Sequence, residues 1–222
     1  MVGIVPAVLA VLVLVIFVHE KGRKSSSDSS SRPGLNLSRL TAGFDARFKV
    51  FLGIMAIFTL GNSSDFFVIL RAQNLDVSLV QVVSMLVLLN VIEAAVSLPA
   101  GMLSDRLGRK RVIALGWLIY ALVYLGFALA SSPWQIWLLF AGYGIYYGIV
   151  GGVARAFVAD LVPEEKRGTA YGLYHGVVGI TLLPASLLAG WLWQTYSPAA
   201  PFYLGAGLAF LAMLGMMVLI KE

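Results

Sequence analysis

Seven apolar runs, each long enough to cross a bilayer, leave this chain few ways to fold. The first covers residues 2–18, and six more follow at about 48–71, 77–103, 110–131, 133–159, 168–194 and 200–220. A helix rises about 1.5 Å per residue, so about 20 apolar residues cross the roughly 30 Å hydrocarbon core. Inside lipid every backbone N–H and C=O must find a partner within the protein, which restricts spanning structures to helices and closed barrels. The runs are continuous rather than alternating in polarity, which selects helices. Composition agrees: 59% of the residues are hydrophobic and 12% charged, whereas a soluble domain is about half apolar and a quarter charged. The expected fold is an all-α integral membrane bundle.

Charge placement orients the spans. Apart from Arg71 at a helix end and Arg155 inside a span, the cations lie in and beside the polar segment 19–47, in the loops 104–111 and 160–167, or at the tail. The connections 72–76, 131–133 and 195–200 carry no Lys or Arg. By the positive-inside rule the expectation is a multi-pass protein of the inner (plasma) membrane with its amino terminus out and its carboxy terminus in. Trp134, Trp137, Trp191, Trp193 and Tyr196 cluster toward the outer ends, as an interfacial belt would. The first run is followed by Lys21, Arg23 and Lys24 rather than preceded by cations, unlike a secretory signal. An uncharged tail would then have to be translocated, so the chain is expected to be the carboxy-terminal part of a longer one.

Residues 19–47 read as a cytoplasmic linker, with SSSDSSS at 25–31, an Arg32-Pro33-Gly34 breaker, and Leu37, Leu40, Phe44 and Phe48 at helical spacing in a short interfacial helix. The net charge of +5 resides in loops between spans, which points to anchoring at the membrane surface rather than to nucleic acid. There is no cysteine, hence no disulfide and no thiolate chemistry.

The segment Gly101 to Arg111, GMLSDRLGRKR, sets one acid among four cations. The pattern Gly101-x-x-x-Asp105-Arg106-x-Gly108-Arg109-Lys110-Arg111 resembles the signature loop of the major facilitator superfamily of secondary transporters. In that family the loop joins helices two and three of the first six-helix bundle, and a copy joins helices eight and nine of the second. Residues 155–168, RAFVADLVPEEKRG, with Arg155, Asp160, Pro163, Arg167 and Gly168, are similar to the family's exit from helix ten. One helix, a Ser-rich linker and six spans then look like helix six, the central loop and helices seven to twelve. The resemblance implies a six-helix bundle made of two inverted three-helix repeats over 48–222, preceded by the last helix of the first bundle. It also implies a missing amino-terminal bundle, from the same gene or a partner chain.

Asp105 ends a helix whose carboxy terminus is already the negative pole, so it needs a cation or another helix's amino terminus. Arg155 is the leading expectation and the helix start after Gly168 the second. Gly144, Gly148 and Gly151 precede Arg155 at one-turn spacing and make a face another helix can approach closely. The resemblance implies that such contacts latch the inner side and break as the bundles rock.

Polar residues within spans are costly and are candidates for function. Asn90, Glu93 and Ser97 form one stripe, facing either a cavity or another helix, and Glu93 is the best candidate for a coupled proton. Asn62 and Asp65 either line a solute path or accept Arg71 or an amide. Tyr171 and His175 share a face two turns into the fifth of the six spans, where His175 could relay a proton or be satisfied by a neighbour. Pro184 can kink that span. The glycines around it do not match the family's antiporter motif.

Ser63 or Ser64 with His175 would be needed for an intramembrane hydrolase, but they lie several turns apart in depth. No nucleotide or zinc motif occurs, so neither cofactor nor metal is expected. The resemblance implies movement of a small solute by alternating access, most simply coupled to a proton. A half-size subunit that works as a dimer or with a partner bundle is the alternative.

Overall fold

The computed structural model describes residues 43–220, in which seven α-helices form six candidate spans and no strand occurs. The first is built from α1 (Ala46–Gly61) and α2 (Phe66–Asn74). It is followed by α3 (Leu79–Leu107), α4 (Arg109–Leu129), α5 (Pro133–Asp160), a 3-10 turn at Glu164–Lys166, α6 (Arg167–Thr195) and α7 (Ala200–Leu219). The six spans fall where the apolar runs do. The run at 2–18 and the linker as far as residue 42, with most of its expected amphipathic helix, lie outside the described residues.

Packing follows a repeat of three spans. The first span packs on α6 and α7, and the fourth, α5, packs on α3 and α4. The third and sixth, α4 and α7, pack on each other. Moving three spans along the chain maps each of these pairs onto another or onto itself. Consecutive spans run in opposite directions, so the two halves are inverted, as the resemblance implied.

Small residues set the closest crossings. A methyl placed on Gly205 of α7 would fall 2.6 Å from the Gly61 carbonyl oxygen of α1, and one on Gly61 would fall 2.8 Å from Leu208 Cβ. In lipid, where apolar surface gains little by leaving its surroundings, such backbone proximity and dispersion contacts hold helices together. Aromatic rings fill the remaining space: Phe58 stacks on Trp117 at 4.9 Å and Tyr120 on Tyr124 at 4.1 Å, all almost fully buried.

Two local features depart from the sequence expectations. The first span is not one continuous helix, because the α-helix stops at Gly61 and resumes at Phe66. The basic loop is not an eight-residue turn either. α3 continues through Asp105 and Arg106 to Leu107, and a single residue, Gly108, separates it from α4. At 29 residues, α3 is about 43 Å long and outruns the hydrocarbon core. Its last turns therefore carry charge without leaving the helix. Gly108 has φ 90°, a conformation that glycine adopts without steric cost.

Candidate functional site

The basic end of the bundle is organised by Arg109, the first residue of α4. Because α3 turns at one glycine, Arg109 is held beside the last turn of α5. Its Nη1 donates to the Asp160 carboxylate at 2.8 Å and to the Ala156 carbonyl at 2.5 Å. The guanidinium thus neutralises both an acid and the negative pole of α5. Its Nη2 lies 3.9 Å from Asp105, which is largely exposed.

The expected pair of Asp105 with Arg155 is not formed. Nε of Arg155 donates to the Gly151 carbonyl of its own helix. The physical reason is helical phase: Arg155 and Asp160 are five residues apart, about 140° around α5, so the face that meets α4 is not the face that carries Arg155. The helix start after Gly168 makes no bond to Asp105 among the described residues. Arg167 instead lies 4.0 Å from Glu164, and Lys166 donates to the Gly43 carbonyl at 2.6 Å while sitting 5.7 Å over the Phe44 ring.

The second assembly is built on the break in the first span. Asn62, Ser63, Ser64 and Asp65 interrupt the helical ladder, and freed backbone groups must be satisfied. Local bonds do part of this: the Asn62 amide donates back to the Phe58 and Thr59 carbonyls, and the Phe67 amide to Ser64. Tyrosines from other spans bond one freed carbonyl and the polar side chains of the break. The Tyr120 hydroxyl lies 3.2 Å from Asn62 Oδ1 and 3.3 Å from the Gly61 carbonyl. Tyr143 and Tyr147, one turn apart on α5, both donate to the Asp65 carboxylate, at 2.7 and 3.0 Å.

Beside this cluster is a cavity of about 280 Å³ between α2, α3 and α5, lined by Asp65, Asn90, Glu93, Phe140, Tyr143 and Tyr147 together with Val68, Leu86 and Leu89. The glycine face of α5 meets α3 beside it. A methyl on Gly144 would fall 2.6 Å from the Leu89 carbonyl oxygen, and one on Gly148 2.8 Å from that of Glu93. α3 therefore approaches α5 backbone to backbone at the level of its polar stripe, while Gly151 faces open space. A second cavity of about 180 Å³, with Thr59, Asn62, Tyr146 and Tyr174 in its wall, lies on the other side of Tyr147, which lines both.

The candidates are thus only partly brought together. Asp65, Asn90 and Glu93 share one cavity, and Asn62 lines the next. Ser97 donates to the Glu93 carbonyl and Asn90 to the Leu86 carbonyl, so part of the stripe is satisfied within its own helix. Tyr171 donates to the Arg155 carbonyl, and His175 packs edge-on against Tyr174 at 5.0 Å. Neither lines a cavity described above. No hydrogen bond joins Ser63 or Ser64 to His175 among the described residues. Arg71 does not reach Asp65: it is buried and donates to the Phe127 carbonyl at 3.0 Å, the Ala130 carbonyl at 2.8 Å and Asn74 at 2.7 Å. Tyr143 and Tyr147 went unnoticed in the sequence, where their i, i+4 spacing inside an apolar run reads as packing.

The model of the Major Facilitator Superfamily matches residues 50–222. The chain belongs to that superfamily. Its members are transporters rather than enzymes, and the chain is an integral membrane protein of that class. It is 40% identical to an uncharacterized MFS-type transporter of Methanocaldococcus jannaschii, over 94% of this chain and 53% of that protein. It is 37% identical to a class E tetracycline resistance protein of Escherichia coli, over 51% of this chain and 28% of that protein. A Na(+), Li(+), K(+)/H(+) antiporter of Planococcus maritimus is 26% identical over 50% of this chain and 28% of its own length. The superfamily chain thus spans about half the length of the first of these relatives.

Proposed function

We propose that the described bundle is the carboxy-terminal half of a proton-coupled secondary transporter that moves a small solute by alternating access. The observation that carries this is the broken first span, whose Asp65 is held by Tyr143 and Tyr147 at the mouth of a cavity that also contains Glu93. Discontinuous helices beside a polar cavity within the membrane are how secondary transporters expose backbone and side-chain groups to a solute. Glu93 is the residue that exchanges the coupled proton, and the solute occupies the space between it and Asp65. The tetracycline and cation/proton relatives, by their names, are in keeping with small-solute traffic.

Arg109 with Asp160 is a brace that keeps α4 and α5 rigid, and Asp105, exposed beside it, is the latch residue free to meet a second surface. That surface belongs to the amino-terminal bundle, supplied by the same polypeptide or by a partner chain. The sparsely covered α3 and α6 are the faces it packs against, since only 17% and 11% of their spans are buried against 61% for α4. The basic end faces the cytoplasm in the inner membrane, with residues 48–222 forming the bundle and 1–47 its preceding helix and linker.

The test uses the full-length transporter in vesicles with an imposed pH gradient. Glu93→Gln is expected to leave solute binding in place and to make flux independent of the gradient. Flux that still follows the gradient in that variant would remove Glu93 from the coupling role.

A further inference from the structure

The cavity beside the broken span has one sign of charge. Its two ionisable carboxylates, Asp65 and Glu93, face it without any Lys or Arg in its lining. The nearest cation on the same helix, Arg71, turns away and spends its donors on the Phe127 and Ala130 carbonyls and on Asn74. Asp65 accordingly makes no ion pair among the described residues. Its bonds from Tyr143 and Tyr147 hold the carboxylate in place, but a hydroxyl donor leaves the negative charge where it is. The start of α2 adds only a partial positive charge, and α2 is nine residues long. A carboxylate with no ion-pair partner beside an apolar wall within a membrane is a favourable place for a cation brought from elsewhere.

The rest of the lining describes that cation. Val68, Leu86, Leu89 and Phe140 form an apolar side, and the Tyr143 and Tyr147 rings stand 4.8 Å apart beside the carboxylate. A volume of about 280 Å³ is many times that of a single water, whose share of liquid is about 30 Å³. An inorganic ion would need several oxygens converging on it; here the Tyr143 and Tyr147 hydroxyls are already turned to Asp65, and four of the nine lining residues are apolar. Aromatic rings next to a carboxylate suit a weakly hydrated organic ammonium, which gains from both the charge and the ring quadrupoles.

We infer that this cavity takes a small organic cation, its ammonium group at Asp65 beside the Tyr143 and Tyr147 rings and its apolar body against Leu86, Leu89 and Phe140. This names the solute class of the transport reading and rests on that reading for its physiological role. The site itself lies within this bundle, so its occupancy can be tested without transport. Glu93 at the same cavity then has two uses: it balances the cation's charge when ionised and releases it when protonated.

The experiment measures equilibrium binding of phenyltrimethylammonium to the purified chain in nanodiscs, with empty nanodiscs as the blank. Saturable binding is expected, with no competition from benzoate or from millimolar sodium. Asp65→Asn is expected to weaken it at least about tenfold, the order of a lost charge-assisted contact. Tyr147→Phe is expected to weaken it less, and Gly172→Ala, on the open face of α6, not at all. Absence of saturable binding overturns the assignment, as does equal competition by benzoate or displacement by sodium. Unchanged affinity in a folded Asp65→Asn overturns it as well. Should Asp65→Asn fail to fold, the charge selectivity of the unaltered chain and the Tyr147→Phe affinity still decide. Binding here combined with no flux in the full-length protein would keep the site and reject transport; flux without this binding would do the reverse.

Discussion

Glycines on the two sides of this bundle serve opposite ends. On the packed side, formed by α1, α4, α5 and α7, Gly61, Gly116, Gly144, Gly148 and Gly205 lie against other helices so closely that a single methyl would collide. On α6, Gly168, Gly172, Gly176 and Gly179 have nothing within 4 Å of where a methyl would go. At these five positions glycine admits a close neighbour, whereas at the four on α6 the described residues place none. One side is a rigid body. The other is sparsely covered, and the cavity with Asp65 and Glu93 lies apart from α6, between α2, α3 and α5.

The hardest blow to the rigid side is Gly205→Val. The added carbons would overlap the Gly61 carbonyl and the Tyr124 ring, both at 2.6 Å from the first of them. Overpacking of this kind costs about 1–3 kcal/mol or more. Thermal unfolding of the detergent-solubilised chain should show a clearly lowered midpoint. An unchanged midpoint would mean that α1 and α7 are not held at this crossing.

Next is Arg71→Met, which keeps much of the side chain's bulk and removes its donors. The Phe127 and Ala130 carbonyls lie at the carboxy end of α4 and lose buried partners, at about 1–3 kcal/mol for each group left unsatisfied. Hydrogen exchange should accelerate around residues 127–133 while α3 is unaffected. A uniform increase across all spans would show instead that Arg71 supports the whole fold.

A smaller effect is expected at the basic end. Arg109→Gln removes a partly exposed ion pair with Asp160, a class of contact worth about 0–1 kcal/mol. Stability should barely move, whereas flux by the full-length protein should fall if the Arg109–Asp160 pair is what lets α4 and α5 move as one. Asp105→Asn should reduce flux with even less change in stability. If Arg109→Gln melts the bundle as strongly as Gly205→Val, the basic end belongs to the rigid body and has no separate role in switching.

Much of the architecture was legible because the bilayer leaves the backbone so little choice. Apolar runs of sufficient length become helices, and the Gly101–Arg111 pattern fixed where two of them turn. What sequence reasoning missed depends on groups far apart in the chain. The break at Asn62–Asp65 lies inside an apolar stretch, and its stability rests on Tyr120, Tyr143 and Tyr147, roughly sixty to eighty residues away. Arg155 was expected to meet Asp105, but α3 continues to Leu107 and phase on α5 turns Asp160, not Arg155, toward α4. Arg71 was considered for Asp65, and three-dimensional proximity to the end of α4 decided otherwise. The apolar and helical-phase rules are local in sequence, whereas partner choice is not.

The smallest change is the most informative about the open side. Gly172→Ala adds one methyl to an exposed position of α6 with no neighbour within 4 Å. Helix propensity alone favours alanine by about 1 kcal/mol, so the isolated bundle should be unchanged or slightly more stable. If α6 packs closely on a second bundle during the transport cycle, the same methyl should impair flux in the full-length protein. Stability held or raised with flux lowered would identify the glycines of α6 as an interface kept clear for a moving partner. Flux and stability both unaffected would leave that face exposed to lipid throughout, and the proposed second bundle would then have to dock on α3 alone.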